Sequence, residues 1–361
     1  MSGEIYRVLV VDDDPDIAEL TRTVLERRGG YEVRALGDPA LVAAAVDEFR
    51  PDVVVTDIEM PGMSGLELMA LLRAAQPGLP VIVMTAHISL DYAVRALRSQ
   101  ADEFLTKPIA PSELVATVRR LAAGWRNRRE AQNELDRAAE VQRSLLPRRL
   151  VALEGYQLDG GCLPASAVGG DFYDWYPTDD GAAFTVADVM GKGIGAAIIA
   201  ATVRSVLRSG AQADDLGAVI SAADSALESD LEHAGAFVTL FHARLDASIG
   251  EVRYADAGHG LSLVVRAAGG VKRLATTSLP LGSGLGGGWR EHSVTVLPGD
   301  TLVSMSDGVL DLYDGTLASL DEVERLARSA PSARAIVDDL LALAGTSAPD
   351  DVTVVALRRE R

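Results

Sequence analysis

Five short strand-like runs, the longer ones rich in β-branched residues, punctuate the first third of this chain: Arg7–Val11, Tyr31–Arg34, Val53–Thr56, Val81–Met84 and Glu103–Leu105. Between them lie amphipathic segments that open near Asp16, Pro39, Ser64, Ser89 and Ser112. Strands alternating with helices in this way require a parallel sheet. A parallel neighbour is reached only through a crossover, and the crossover helix must cover a face of the sheet. The first and third runs are continuously apolar, which makes them central strands buried on both sides. The expectation is an α/β domain over residues 1–120, built on a five-stranded doubly wound parallel sheet.

From Pro111 to Leu146 the composition is helical, with Gly124 as the sole glycine and no internal proline. Leu114, Val118, Leu121, Trp125, Arg128, Gln132, Leu135, Ala139, Gln142 and Leu146 recur in steps of four and three. That spacing is a coiled-coil seam with a polar centre, left-handed if two copies pair. At 1.5 Å per residue such a helix is roughly 50 Å long. Two readings stay open: a dimeric coiled-coil linker over 111–147, or a single helix packed on its own domain.

Beyond Pro147 the pattern changes. Strand-like segments separated by Gly/Asp turns are interrupted by helical stretches at about 195–210, 214–233 and 320–344, and a last strand covers Val352–Leu357. Strands clustered around a pair of central helices suggest an α+β layered sandwich over 148–361.

The formal net charge of −18 opposes sequence-independent nucleic-acid binding, which rests on Lys and Arg neutralising phosphates. No basic recognition helix is visible in the second half. Cys162 is the lone cysteine, so no intrachain disulfide can form and a reducing cytoplasm fits. The apolar Val8–Val11 run is followed at once by Asp12, Asp13 and Asp14, which argues against a signal peptide. Ile194–Val203 is too short to span a bilayer, so no membrane association is expected.

Chemistry enters at the strand ends. Asp12 and Asp13 close the first strand, Asp57 the third, Thr85 the fourth and Lys107 the fifth. Ligands of doubly wound sheets bind outside the carboxyl ends of central strands, so these acids converge. A cluster of like charges is tolerable around a cation, and oxygen-only ligation favours Mg²⁺. An Asp carboxylate there can act as nucleophile toward a phosphoryl group held by metal and lysine. The segments VVDDDP, VVTDIEMPGMSG, VIVMTA and DEFLTKP resemble the motifs of the response-regulator receiver family, whose sheet has the flavodoxin-like order. The resemblance implies that Asp57 is the phospho-acceptor. It implies that Asp13, Asp57 and the Glu59 carbonyl ligate Mg²⁺ with help from Asp12, and that Thr85 and Lys107 bind the phosphoryl group. Phe104 falls where the family places a switching aromatic, although ordinary core is an equal reading. Lys107-Pro108 resembles the family's cis-peptide site. A sensor histidine kinase is the implied partner.

In the second half, Asp171, Asp188, Asp307 and the Asp350-Asp351 pair each adjoin an apolar run and are flanked by glycine or small residues. Glycine allows the close backbone approach that a metal centre with carbonyl and water ligands requires. The absence of His or Cys beside these acids indicates Mg²⁺ or Mn²⁺ rather than zinc. Two such ions can lower the pKa of a shared water and clamp a phosphate. Singly, each acid reads as a turn or a cap; together they make a site.

The segments AEVQRSLLP, VGGDFYDWY, VADVMGKGIGAA, DAGHG, LPLG, LPGDTL, SDGVLDLYDG and PDDVTVVAL resemble, in order, the SpoIIE-type branch of the protein phosphatase 2C family. That implies a 2C-like β-sandwich flanked by helices. It also implies metal ligation of two Mn²⁺ or Mg²⁺ ions by Asp171, Asp188, the Val189 carbonyl, Asp307 and Asp350, with Asp188 bridging and Asp351 behind its neighbour. Asp311 and Ser306 stand where the family more often has glutamate and threonine. His259 reads as a turn residue or a proton donor, and Lys192 as a phosphate contact or a surface lysine. The implied activity is dephosphorylation of phosphoserine or phosphothreonine on a protein, a STAS-type anti-sigma-factor antagonist by resemblance, under control of Asp57 in a homodimer. The alternative is a catalytically weak adaptor that sequesters a partner; such proteins tend to lose metal acids, and none is missing here.

Overall fold

A computed structural model describes residues 5–86, 101–147, 151–274, 276, 278–285, 288–345 and 348–361. The chain divides into two compact units, Met1–Glu134 and Leu135–Arg361.

The first unit follows the strand–helix alternation of its sequence. Strands β1 (Arg7–Val11), β2 (Glu32–Leu36), β3 (Val53–Asp57), β4 (Val81–Thr85) and β5 (Glu103–Thr106) form one parallel sheet in the order β2-β1-β3-β4-β5. Every residue of β3 and β4 is buried, the apolar Val53–Val55 and Val81–Met84 as central strands require and the polar Thr56, Asp57 and Thr85 at their carboxyl ends with them. Alternate side chains of each strand serve opposite faces. Leu9 and Val11 meet helices α2 (Val42–Phe49) and α3 (Gly65–Ala75) through Val46, Leu68 and Leu72; Val8 and Val10 meet Leu25, Leu114 and Val118 on the other side. Helix α1 (Pro15–Val24) begins where the Asp14 carboxylate accepts from the Asp16 and Ile17 amides, and α3 where Ser64 and Glu67 form a reciprocal capping box. The expected segment opening at Ser89 lies outside the described residues.

Helix α4 (Pro111–Leu145) is uninterrupted, and the boundary between the two units falls inside it. Its seam residues are used within the chain at both ends. Leu114 and Val118 are buried in the cluster with Val8 and Val10, and Trp125 packs against the cluster that holds Leu9 and Leu79; Ala139 is buried and Leu146 packs on the cores of the second unit. Arg128 and Gln132 are the exposed seam residues. Apolar periodicity says that a stripe is covered, not what covers it, and here the chain itself covers its ends.

The second unit is a four-layered α+β sandwich. Strands β7 (Phe172–Thr178), β8 (Gly181–Val189), β9 (Val238–Asp246), β10 (Glu251–Ala257) and β13 (His292–Thr295) form one antiparallel sheet, ordered β13-β10-β9-β8-β7. Strands β6 (Tyr156–Leu163), β11 (Ser262–Val265), β12 (Val271–Arg273), β14 (Thr301–Met305) and β15 (Val352–Arg359) form the second, ordered β12-β11-β14-β15-β6. Their facing sides share a core in which Phe184 and Phe241 lie 6.1 Å apart, ring to ring. Full burial of side chains of this size contributes about 1.5–3 kcal/mol each. Helices α5 (Ile194–Ser209) and α6 (Leu216–Ala234) cover the outer face of the first sheet.

The outer face of the second sheet carries two helices, α8 (Leu320–Ser329) and α9 (Ala333–Ala344), which follow the short α7 (Gly308–Asp311). One continuous helix over 320–344 was the expectation, and Pro331 divides it. Ala330 before the proline is extended (φ −67°, ψ 138°), and the Ser332 hydroxyl then caps α9 through the Ala335 amide. Among the described residues, no helix is long and apolar enough to cross a membrane.

Candidate functional site

Two acidic constellations form, one in each unit. In the first unit, parallel pairing of β1 with β3 brings Asp12 beside Asp57, and both are buried. Lys107, just past β5, reaches both: its Nζ lies 2.6 Å from Asp57 Oδ1 and 3.2 Å from Asp12 Oδ2. Burial raises the Asp12 pKa, and the nearby Asp57 charge adds to that, against the opposing pull of the Asp14 amide and Lys107. Burial works against the Lys107 charge, but its bonds to Asp57 and Asp12 outweigh it and raise the lysine's pKa. Thr85 is buried at the end of β4, and the Glu59 amide donates to Asp57 Oδ2 at 3.1 Å. Asp13 is exposed beside them. Gly65 is required here, because a Cβ would collide with the Asp57 carbonyl. Phe104 is half-buried and packs on the core under α2 and α3, and the Lys107-Pro108 bond is cis. Asp57 thus offers an anchored carboxylate flanked by a cation, which suits attack on a phosphoryl group and retention of the charge it brings.

In the second unit the acids come from four places. Asp171 precedes β7, Asp188 sits near the end of β8, Asp307 follows β14, and Asp350 precedes β15. Backbone proximity draws them together. A Cβ on Gly170 would stand 2.6 Å from the Val189 carbonyl oxygen, so the loop before Asp171 presses against the end of β8. A Cβ on Gly308 would collide with the Asp351 carbonyl, which seats Asp307 beside the Asp350-Asp351 pair.

The electrostatics record that convergence. Burial drives the Asp171 pKa well up, with the Asp188 charge next. Asp188 is pushed up to about 6 by burial and then by Asp307, Asp350 and Asp351. Asp307 is raised by burial and by the charges of Asp350 and Asp311. Asp171 Oδ2 is buried and, among the described residues, has no hydrogen-bond partner. Buried acceptors are ordinarily satisfied, and repelling carboxylates with an orphaned oxygen fit hard divalent cations. Among the described residues, no three His, Cys, Asp or Glu side chains are disposed as the shell of one ion. A shell that mixes carboxylates with the Val189 carbonyl and water needs fewer side chains.

Asp351 takes a different role from Asp350. Its Oδ1 accepts from the Ala165 amide at 2.7 Å, and its Oδ2 from Gly170 at 2.7 Å and Asp171 at 3.4 Å, which pins the loop leading to Asp171. Lys192 Nζ lies 3.1 Å from Asp350 Oδ1 and donates to the Pro349 carbonyl at 3.0 Å. His259 is buried; its ring meets Ser304 Oγ at 3.3 Å, and its own amide and that of Gly260 are held by Asp256. The Asp256 carboxylate thus holds the turn through two backbone amides.

Two participants went unread in the sequence. Gln142, near the end of α4, donates from Nε2 to the Gly169 carbonyl at 2.7 Å and accepts from the Gly169 amide at 3.2 Å. Asp174 is buried and receives Arg204 at 3.2 Å and Arg208 at 2.5 Å, tying α5 to β7. The signal for the first lay in the AEVQRSLLP segment; nothing local marks the second, whose partners lie a helix away.

Comparison with known proteins agrees with this division. A family model described as response regulator receiver domain matches residues 8–119, and one described as stage II sporulation protein E (SpoIIE) matches residues 178–360. The DNA-binding response regulator MtrA of Mycolicibacterium smegmatis is 43% identical over 113 residues, 31% of this chain and 49% of that protein. The probable transcriptional regulatory protein TcrX of Mycobacterium tuberculosis is 40% identical over 119 residues, 33% of this chain and 50% of its own length. The chain spans about half the length of the curated relatives it matches. Among solved structures, the PP2C domain of SiaA from Pseudomonas aeruginosa matches 64% of this chain and 98% of its own, with a TM-score of 0.55 at 24% identity. The RsbU and RsbW domains of a Mycobacterium tuberculosis protein match 58% of this chain and 61% of theirs, with a TM-score of 0.51 at 28% identity.

Proposed function

The chain belongs to the SpoIIE family and carries a response-regulator receiver domain, and from that premise we propose that phosphorylation of Asp57 controls a metal-dependent phosphoserine/phosphothreonine protein phosphatase. The observation that carries the reading is the convergence of Asp171, Asp188, Asp307 and Asp350 around a buried carboxylate oxygen that is unpartnered among the described residues. The working divisions are a receiver over 1–120, a helical linker over 111–147 and the phosphatase over 148–361.

In the receiver, Asp57 attacks the phosphorus of a phosphohistidine on a sensor kinase. The P–N bond breaks and the leaving imidazole takes up a proton. Lys107, already within 2.6 Å of Asp57 Oδ1, neutralises part of the added charge of about −1.5 to −2, and Thr85 offers its hydroxyl to the new oxygens. Asp12, Asp13, Asp57 and the Glu59 carbonyl would hold Mg²⁺ there.

In the phosphatase, Asp171, Asp188, the Val189 carbonyl, Asp307 and Asp350 would hold two Mn²⁺ or Mg²⁺ ions. When bound, such ions supply Lewis acidity toward a phosphate ester and acidify water. The chain's own contribution is positional: Asp351 pins three amides of the Asp171 loop, and Gly170 lets that loop seat on Val189. Motif resemblance supports a STAS-type anti-sigma-factor antagonist as the substrate, and the lone cysteine supports a cytoplasmic setting. Homodimerisation through the linker helix is part of the proposal. With much of the seam packed within the chain, the exposed Val141 and Leu145, beside Ile194 and Ile198, are the residues a second copy would cover.

The test is Mn²⁺- or Mg²⁺-dependent phosphate release from a phosphoserine protein, with Asp188→Asn as control. Release that requires metal and Asp188, and that changes when Asp57 is phosphorylated, is the expected result. No release with either metal, in either state of Asp57, would return the adaptor reading.

A further inference from the structure

At the amino-terminal ends of β1 and β3, the opposite edge of the sheet from Asp57, lies a cavity of 450 Å³. It is lined by Arg7, Arg50, Arg126 and Arg129 against only Asp52 and Glu130. With Arg7 paired to Glu32 and Arg126 to Asp52, Arg50 and Arg129 stand against Glu130 alone, a local cationic excess in a chain whose net charge is −18.

Two of the four are held in place by the fold. Arg126 pairs with Asp52, donates to the Ile5 carbonyl at 3.1 Å, and lies over the Tyr6 ring at 4.7 Å. Arg7 pairs with Glu32 at 3.0 Å and donates to the Phe49 carbonyl at 3.3 Å. Arg50 and Arg129 are exposed and, among the described residues, make no hydrogen bond or ion pair through their side chains. Arg50 is also the one non-glycine residue, among those described, with a positive φ (50°). It closes α2 in the left-handed conformation, with its amide on the Val46 carbonyl at 2.9 Å. Glycine is the ordinary occupant of such a helix end, because it alone takes that conformation without steric cost. A cationic side chain kept at a strained position beside three others points to something it binds.

We propose that this cavity binds a small anion carrying two or more phosphate groups. Guanidinium forks match phosphate oxygens two at a time, and the volume suits a small molecule rather than a macromolecule. A nucleoside diphosphate and free pyrophosphate share that chemistry. Bound there, the anion would join α4, through Arg126 and Arg129, to the α2–β3 corner, through Arg50.

The experiment is calorimetric titration of the full chain with pyrophosphate and, separately, with ADP, in chelator so that the acidic clusters recruit no phosphate through metal. Saturable one-site binding of either anion is expected, weakened at least tenfold in Arg129→Ser and in Arg50→Gly. The glycine variant suits the left-handed backbone and so leaves the fold intact. Tighter binding of ADP identifies a nucleotide site, and equal binding a site for the phosphates alone. Absence of saturable binding by both anions, or variants that bind as the parent does, overturns the proposal.

Discussion

Gln142 and Gly169 exchange two hydrogen bonds, the glutamine amide taking both the N–H and the C=O of the glycine's backbone. Gln142 belongs to α4, and Gly169 stands two residues before Asp171. The helix therefore grips the loop that presents a candidate metal acid, and the grip is directional because both amide groups must face the loop at once.

Gln142→Leu removes both bonds and leaves a half-buried peptide unpaired, at a cost of about 1–3 kcal/mol. Much of that loss should fall on the loop rather than on global folding. The Mn²⁺ concentration for half-maximal phosphatase activity should rise roughly 5- to 100-fold, a tenfold change being 1.4 kcal/mol. A metal titration that matches the parent would show that the loop is held without the helix.

Asp350 and Asp351 should separate cleanly by substitution. Asp351→Asn turns one of the two accepting oxygens into an NH2 donor, which unpairs one or two of the three amides and should lower stability by about 1–3 kcal/mol, read as a fall of several degrees in Tm. Asp350→Asn should abolish metal-dependent turnover and leave Tm within about 2 °C of the parent, as expected for a half-exposed side chain whose ion pair is with the exposed Lys192. Scanning calorimetry beside a phosphate-release assay distinguishes the two.

Acid should destabilise the sandwich through its buried histidines. His242 and His259 are both held down to about 4, His242 by burial and then by Arg244, His259 by burial despite an opposing backbone bond. Between that value and the unfolded value near 6.5 the unfolded chain binds the extra protons, so stability is complete above 6.5 and is lost as pH falls toward 4. The loss is on the order of 3 kcal/mol per histidine. Asp188 and Asp256, raised to about 6 chiefly by burial, act in the opposite sense between 3.8 and 6. The difference between parent and His242→Gln is therefore the informative quantity. Urea unfolding at pH 7 and pH 5 should show a smaller acid loss in the variant; equal losses would assign the acid sensitivity elsewhere.

Asp174→Asn strips the charge that pairs Arg204 and Arg208. Breaking a buried pair by removing one partner costs about 3–5 kcal/mol, and the lower figure applies here because Arg208 is partly exposed. A shift of the urea midpoint to lower concentration is expected. An unchanged midpoint would mean that α5 is fixed by its apolar face alone.

Much of this architecture is legible in the sequence because it is periodic or terminal. Unbroken valine-rich runs identify the buried parallel strands, and acids that end those runs must converge when the strands pair side by side. Glycines beside Asp171 and Asp307 are legible as close approaches, although not what they approach. The reading fails where a residue's partner is set by tertiary packing. Gln142 is visible as a seam position, but its true neighbour is a loop peptide. Asp174 looks like an echo of Asp171 until α5 delivers two arginines to it. Pro331 was present in the sequence, and the amphipathic pattern on both sides of it masked the break.

Gly170 has a consequence for how this centre can vary. The spacing between two acid-bearing elements is fixed there by a methyl group that is missing, so no side chain can be repacked to absorb a change. Even alanine would lever Asp171 away from the end of β8. Geometry enforced by emptiness has no gradual route of adjustment: the loop either keeps its hydrogen atom at that carbon or gives up the site.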